Sequence, residues 1–226
     1  ACMIFAQLSG AWWSNSGGGS TTAATATVPA GNTPTVSLAG TTVTVNISQI
    51  SVAGQLVGVL GGYTVKRYPA NGGAAVTPGG TCGTSVTGAA AALSCTETST
   101  PRGDWRYTAS PTLFQWTGAE SPTSATVTIA PDPASGLAAT AAPAGAINLG
   151  WTAGAGATGY NVYRRTTAGA YDFTTPVNGA TPVSGTAYSD TTAVSGTAYN
   201  YVIRSTVIGS AGQQIASGNS NESAAV

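Results

Sequence analysis

Two hexapeptides in the chain alternate in the same way: Gly62-Tyr63-Thr64-Val65-Lys66-Arg67 and Gly159-Tyr160-Asn161-Val162-Tyr163-Arg164. Tyr and Val fall on one face and polar or long charged side chains on the other, the period-two signature of a half-buried strand. The copies lie roughly 100 residues apart, the length of one β-sandwich domain. Alternation recurs around each of them. Upstream of the first, Val43, Val45 and Ile47 interleave with Thr42, Thr44 and Asn46; Ile147, Leu149 and Trp151 take the corresponding places upstream of the second. Downstream, Tyr199 and Tyr201 match Trp105 and Tyr107, and Tyr188 falls where Cys95 lies.

The pattern predicts an all-β chain of two tandem sandwiches, residues 32–130 and residues 131–226, preceded by an N-terminal arm and tether, residues 1–31. In the first sandwich Thr35–Leu38 opens the strands and Ser48–Gly61 is an insertion. Leu93–Cys95 precedes a turn at Pro101-Arg102-Gly103, and Ala125–Ile129 closes the domain. The prolines of Ala130-Pro131-Asp132-Pro133-Ala134 deny ladder donors and mark a linker. The second sandwich ends on Ser223-Ala224-Ala225-Val226, which aligns with Ser124–Val127, whereas the first continues through Thr128 and Ile129. Its last strand is expected to be clipped, leaving an unpaired sheet edge.

The preface concentrates large apolar side chains: Met3, Ile4, Phe5, Leu8, Trp12 and Trp13, followed by the Gly/Ser stretch Ser14–Ser20. Its opening apolar run is too short to cross a bilayer, which takes about 20 residues. It reads either as the remnant of a removed leader or as an assembly arm that must be buried in something. An arm seated in the clipped edge of a second molecule repeats head to tail and gives a filament, so self-association into a homopolymer is expected.

Composition narrows the partners. Charged residues are 6% of the chain and the net charge is zero, against about a quarter charged in ordinary soluble proteins. No basic field exists to attract phosphates, so nucleic acid is not an expected partner. Solubility without charge suggests an extracellular, glycosylated or assembled protein. Cys82 and Cys95 flank a small-residue loop and form the natural disulfide; two free thiols in a reducing compartment are the alternative. Cys2 is left over.

Little of the chain suggests catalysis. There is no histidine, and the seven carboxylates are scattered, with no spacing that proposes an acid–base pair or a metal cluster. No enzyme, metal or cofactor is expected. Arg102-Gly103-Asp104 spells an integrin-type tripeptide but equally suits a tight turn. Asn46-Ile47-Ser48 and Asn221-Glu222-Ser223 fit the N-glycosylation pattern. Leu113, Phe114 and Trp116 form either a displayed platform for sugars or a partner, or apolar groups packed against Pro111, Pro122 and the linker.

The series Leu149-Gly150-Trp151, Gly159–Arg164, Tyr188-Ser189-Asp190 and Gly196-Thr197-Ala198-Tyr199-Asn200-Tyr201-Val202 resembles a fibronectin type III domain over about Pro131–Val226. The resemblance implies an Ig-like sandwich with Trp151 in the core and a corner hydrogen bond from one of the tyrosines near Tyr199. The first domain is similar but carries Ile47 where Trp is usual, and its cysteine pair is extra. Ala11–Ser20 resembles the junction after the leader in secreted fibronectin-type proteins of Gram-positive bacteria. The expectation is an extracellular or cell-surface structural protein, a pilus-like subunit, or a carbohydrate-binding or adhesive accessory module.

Overall fold

The computed structural model describes residues 27–52 and 54–226. The expected assembly arm, Met3, Ile4, Phe5, Leu8, Trp12 and Trp13, lies outside the described residues. Contacts divide the chain into two units. One runs to Thr100 and takes in Trp105–Val127; the other comprises Pro101–Asp104 and Thr128–Val226.

The first unit is a sandwich of antiparallel strands. Its elements are β1 (Thr35–Ala39), β2 (Thr42–Ser48), β3 (Ser51–Val52), β4 (Gln55–Leu56), a helical turn α1 (Val57–Leu60), β5 (Gly61–Pro69), β6 (Ala92–Glu97), β7 (Gly103–Leu113), β8 (Trp116–Thr117) and β9 (Val127–Ile129), although Gly103 and Asp104 at the start of β7 and Thr128 and Ile129 of β9 group with the other unit. One sheet has the order β1-β2-β6; the other has β5-β7-β8, with β9 also on β7. The alternation in β2 works as the sequence implies: Val43, Val45 and Ile47 are fully buried, while Asn46 and Ser48 face out. The insertion Ser48–Gly61 is built rather than loose. It contains the β3–β4 hairpin and α1, and Gln49 clamps it by donating to the Gly88 carbonyl at 3.0 Å and accepting from the Gly58 N–H at 2.5 Å.

Cys82, on the 3-10 turn Gly80–Gly83, is disulfide-bonded to Cys95 on β6. Both half-cystines are buried, so the bridge replaces side-chain packing in this core.

The second unit repeats the plan with β10 (Ser135–Ala141), β11 (Ile147–Thr152), β12 (Gly159–Thr166), β13 (Ala187–Asp190), β14 (Tyr199–Ile208) and β15 (Gln214–Asn219), in sheets β10-β11-β13 and β12-β14-β15. Its core gathers Leu137, Leu149, Trp151, Tyr160, Val162 and Tyr201. Trp151 meets Tyr160 edge to face, with ring centroids 5.4 Å apart. The registers of the two units coincide. Val45 opposes Cys95 in one and Leu149 opposes Tyr188 in the other, so an aromatic anchor stands where the first unit places its disulfide.

Two expectations change. Arg67 and Arg164, read as outward-facing, share the core-side parity of Tyr63/Val65 and Tyr160/Val162; buried carboxylates near the ends of those strands draw them in. The unpaired last edge is also absent at the start of β14. Tyr199 and Val226 exchange both backbone hydrogen bonds, at 2.9 and 3.1 Å.

The closing segments use a device that alternation does not predict. Ser121 and Ser124 in the first unit, and Ser217, Ser220 and Ser223 in the second, turn their hydroxyls toward the neighbouring strand. There they accept the N–H groups of Ala109, Tyr107, Ser205, Ile203 and Tyr201 at 2.9–3.0 Å. Each hydroxyl then donates to the carbonyl of the next residue. A serine every third residue suits an extended chain with three residues per turn, and it satisfies donors that a regular ladder would leave to a carbonyl.

Candidate functional site: an aromatic hairpin tip

The carboxylates are engaged in structural bonds. In the first unit Glu97 takes the Arg67 guanidinium and the Tyr107 hydroxyl, the latter at 2.7 Å. Arg67 also lies 4.5 Å from the centre of the Trp105 ring. The second unit rebuilds the cluster from different residues: Asp190 takes Arg164 and the Tyr201 hydroxyl, each at 2.8 Å, and Thr192, and Arg164 lies over Tyr199. Burial, and after it the accepting carboxylate, push both tyrosine hydroxyls up. Burial alone would raise the Asp190 carboxyl, but Thr192, Tyr201 and Arg164 outweigh it and hold it below its ordinary value. Such a cluster holds strands of the two facing sheets together.

Glu120 binds Lys66, Tyr68 and Thr108 beside a surface cavity of about 400 Å³ that Tyr68, Arg106 and Thr108 help to line. Asp132 pairs with Arg102, Asp172 caps Thr174, and Glu222 pairs with Arg165. Among the described residues no group of three or more His, Cys, Asp and Glu side chains could hold a metal ion.

The aromatic side chains are mostly spoken for as well. On the outer face of β12 and β14, Arg204 lies 3.5 Å from the centre of the Phe173 ring, and Phe173 also packs on Tyr163 and Tyr171. Two aromatics differ. β7 and β8 form a hairpin closed by Phe114 and Gln115, with Leu113 opposite Trp116. Phe114 is 75% exposed and Trp116 42%.

The three candidate docking residues therefore part company. Leu113 is buried, a correction to the grouped reading: it ends β7 on the core side, where Gly61 is its register partner. Phe114 and Trp116 are displayed, not packed away. Phe114 also has φ 52°, in the left-handed region that L residues with bulky side chains enter at a cost. Val59, 54% exposed on α1, stands two residues before Gly61 and so belongs to the same end of the unit.

No protein-family model matches the chain, and no curated protein matches it. Solved structures do. A segment of two fibronectin type III domains from chicken tenascin is similar over 87% of this chain and 95% of its own length, with 11% identity and a TM-score of 0.52. A Fn3-like protein from Clostridium thermocellum is 34% identical over 42% of this chain and 90% of its own, with a TM-score of 0.33. The chain is a tandem of fibronectin type III-like sandwiches.

Within this fibronectin type III-like frame the other sequence candidates fall into place. Arg102-Gly103-Asp104 is not a displayed adhesion turn. Asp104 is buried, and in the second unit it accepts from the Ser210 N–H at 2.6 Å, the Ser210 hydroxyl at 2.9 Å and the Gln213 amide at 3.0 Å. Arg102 is tied to the Ala130 carbonyl and to Asp132. The two glycosylation sequons differ. Asn46 faces solvent on β2. Asn221 is exposed, but its amide accepts from the Leu137 N–H at 2.9 Å and donates to the Leu137 carbonyl at 3.0 Å, holding β10 in place of a strand. A glycan linked to that nitrogen would take one of its two N–H groups, which now reach the Leu137 and Glu222 carbonyls.

Proposed function

We propose that the chain is a non-enzymatic extracellular module, structural and adhesive, that engages carbohydrate through the aromatic tip of its first fibronectin type III-like domain. The observation that carries the reading is Phe114, held exposed at φ 52° beside the exposed Trp116. An unfavourable backbone at a displayed aromatic persists where the surroundings over-determine it, and such positions cluster at binding sites. Two rings flanking the amide of Gln115 suit a sugar: the rings stack on its apolar face and the amide reaches its hydroxyls.

A disulfide, and the lack among the described residues of a helix long and apolar enough to cross a membrane, fit an extracellular location. Engagement of all seven carboxylates supports the non-enzymatic part. The pilus-like filament has less behind it: its arm lies outside the described residues, and the edge it was to fill is paired at Tyr199 and Val226.

The test is retention on insoluble polysaccharides by co-sedimentation, comparing the intact protein with Phe114→Ala and Trp116→Ala. Retention of the intact protein that drops at least tenfold in both variants is expected. No retention of the intact protein on any polysaccharide, or equal retention of the variants, overturns the reading.

A further inference from the structure

The outer face of β5 and β7 carries a cavity away from the aromatic tip. The parity that sends Tyr63, Val65 and Arg67 inward sends Lys66 and Tyr68 outward. The register sets Tyr68 opposite Arg106 and Lys66 opposite Thr108 on β7. The segment after β8 runs along the other side of β7, where the Ser121 and Ser124 hydroxyls hold the Ala109 and Tyr107 N–H groups. From that segment Glu120 reaches across β7. It accepts from Lys66, from the Tyr68 hydroxyl at 2.7 Å and from Thr108 at 3.3 Å. The cavity beside this bridge is about 400 Å³ and is lined by Tyr68, Pro69 and Pro122 as well as by Arg106, Thr108 and Glu120. Small-molecule sites span about 300–1,000 Å³. Thr108 precedes Leu113 by five positions, about 17 Å along a strand, so the cavity and the tip are separate places.

Arg106 is the uncommitted cation of the chain. Of the seven cationic side chains, Lys66, Arg67, Arg102, Arg164 and Arg165 are in ion pairs. Arg204 stacks on Phe173 and donates to Asn219 at 2.7 Å. Arg106 donates its Nε–H to the Thr126 hydroxyl at 2.9 Å, and both terminal nitrogens remain for a ligand. A guanidinium in that condition takes a carboxylate through two parallel bonds.

The second unit shows what this face accommodates. Its matching register pairs are Arg165 with Asn200 and Tyr163 with Val202. The chain that follows β12 supplies the rings beside them. Phe173 packs on Tyr163 and Tyr171, and Arg165 lies 5.4 Å from the centre of the Tyr171 ring. Arg165 also pairs with Glu222 at 2.5 Å. Ring and carboxylate there come from the protein itself. In the first unit the chain after β5 reads Ala70-Asn71-Gly72-Gly73-Ala74-Ala75 and has neither. The same place is left as a cavity.

We infer that this cavity binds a sugar ring bearing a carboxylate, a uronic acid unit of an acidic polysaccharide, with the carboxylate on Arg106 and the apolar face of the ring on Tyr68. Glu120 makes the ligand polyhydroxylated. A carboxylate has about four acceptor positions, and Lys66, Tyr68 and Thr108 use three. Burial alone would raise the Glu120 carboxyl, but those neighbours outweigh burial and hold it below its ordinary value. It stays ionised and accepts a ring hydroxyl, which a bare aromatic acid cannot offer. The site uses neither Phe114 nor Trp116, so it stands whether or not the tip binds carbohydrate.

The test is an NMR titration of the intact nitrogen-15-labelled protein with methyl glucuronide, methyl glucoside and benzoate at constant ionic strength. Methyl glucuronide is expected to give saturable shifts of the Arg106 Nε–H and of the Thr108, Glu120 and Thr123 amides, with a dissociation constant of about 1 mM. Methyl glucoside lacks the carboxylate and benzoate lacks the hydroxyls; each should bind about tenfold more weakly or worse. Arg106→Gln should weaken the glucuronide by about the same factor, with the rest of its spectrum unmoved. Phe114→Ala/Trp116→Ala should leave glucuronide binding as it is, which separates this site from the tip. Four results would each overturn the inference: no saturable shift at these groups, equal binding of glucoside or benzoate, an Arg106→Gln variant that binds like the intact protein, or loss of binding in the tip variant.

Discussion

Glu97 and Asp190 hold the same place in the two domains: Glu97 opposes Val43 on β2, and Asp190 opposes Ile147 on β11. Each accepts a buried tyrosine hydroxyl and an arginine whose long charged side chain would ordinarily face solvent. The carboxylate differs by one methylene between the domains, yet the bonds are the same. The cluster therefore belongs to the architecture, fastening the strand that carries it to the opposite sheet. The family resemblance implied a corner hydrogen bond from a tyrosine of β14; the Tyr201 hydroxyl, like that of Tyr107 on β7, instead donates to a side-chain carboxylate.

Glu97→Ala is the severe lesion. The Arg67 and Glu97 side chains are 9% and 3% exposed, so removing one partner leaves a buried unpaired charge, at about 3–5 kcal/mol. Unfolding of the first domain in urea, followed by Trp105 fluorescence, is expected to shift to lower denaturant, with the second domain unmoved. Glu97→Leu combined with Arg67→Met should recover most of the loss, since a well-packed apolar pair replaces a buried ion pair at little cost. A double variant as unstable as Glu97→Ala would contradict this account.

The disulfide makes the two domains respond differently to reductant. Cys82 and Cys95 are 13 positions apart, and closing a loop of that size contributes about 3 kcal/mol by limiting the unfolded chain. Cys82→Ala/Cys95→Ala is expected to lower the stability of the first domain by about 2–4 kcal/mol. Calorimetry should then show two separated transitions, the upper one unchanged and insensitive to dithiothreitol. Coincident loss of both would mean that the bridge supports more than its own domain.

Stability should fall at both ends of the pH scale. The Asp104, Glu120 and Asp190 carboxyls are held below ordinary values because their hydrogen bonds and cationic neighbours outweigh burial. The folded state thus binds their protons less tightly than the unfolded one. Their contribution is complete above about pH 5 and is lost as the pH drops through 4 and lower. Tyrosines behave oppositely: burial raises Tyr63, Tyr107 and Tyr201, and pushes Tyr171 up to about 12. The folded state holds these protons more tightly, so stability declines from about pH 10 upward. Tm should be flat between about pH 5 and 9 and fall on either side. Asp190→Asn should lower the plateau and shallow the acid limb; an unaltered acid limb would assign acid loss to other groups.

The strands were legible because each carries its period-two pattern with β-branched or aromatic residues, as in Val43-Thr44-Val45-Asn46-Ile47. Even the equivalence of Cys95 and Tyr188 follows from counting outward along matched strands. The aromatic tip was not legible. Leu113, Phe114 and Trp116 share one apolar character, and only the two-residue closure sends Leu113 inward while leaving Phe114 and Trp116 displayed. Arg67 misled because long charged side chains usually face solvent, although its parity with Tyr63 and Val65 signalled the core. The serines at every third position from Ser217 to Ser223 were a readable signal for the closing segments. The engagement of Asn221 was not, since its partner Leu137 is remote in sequence and carries no polar side chain to suggest it.

Phe114→Gly separates stability from binding at the tip. A left-handed residue with a Cβ costs about 1–2 kcal/mol relative to glycine, offset in part by the greater freedom of glycine in the unfolded chain. Because Phe114 is 75% exposed, its ring contributes little burial to be lost. The substitution is therefore expected to raise the stability of the first domain by about 0.5–1 kcal/mol while reducing retention on polysaccharide. Phe114→Ala removes the same ring but keeps the strain, so it should weaken binding without the gain in stability. Urea midpoints for the two variants decide the matter. If glycine and alanine are equally stable, the backbone at position 114 is not strained, and the case for the tip rests on exposure alone.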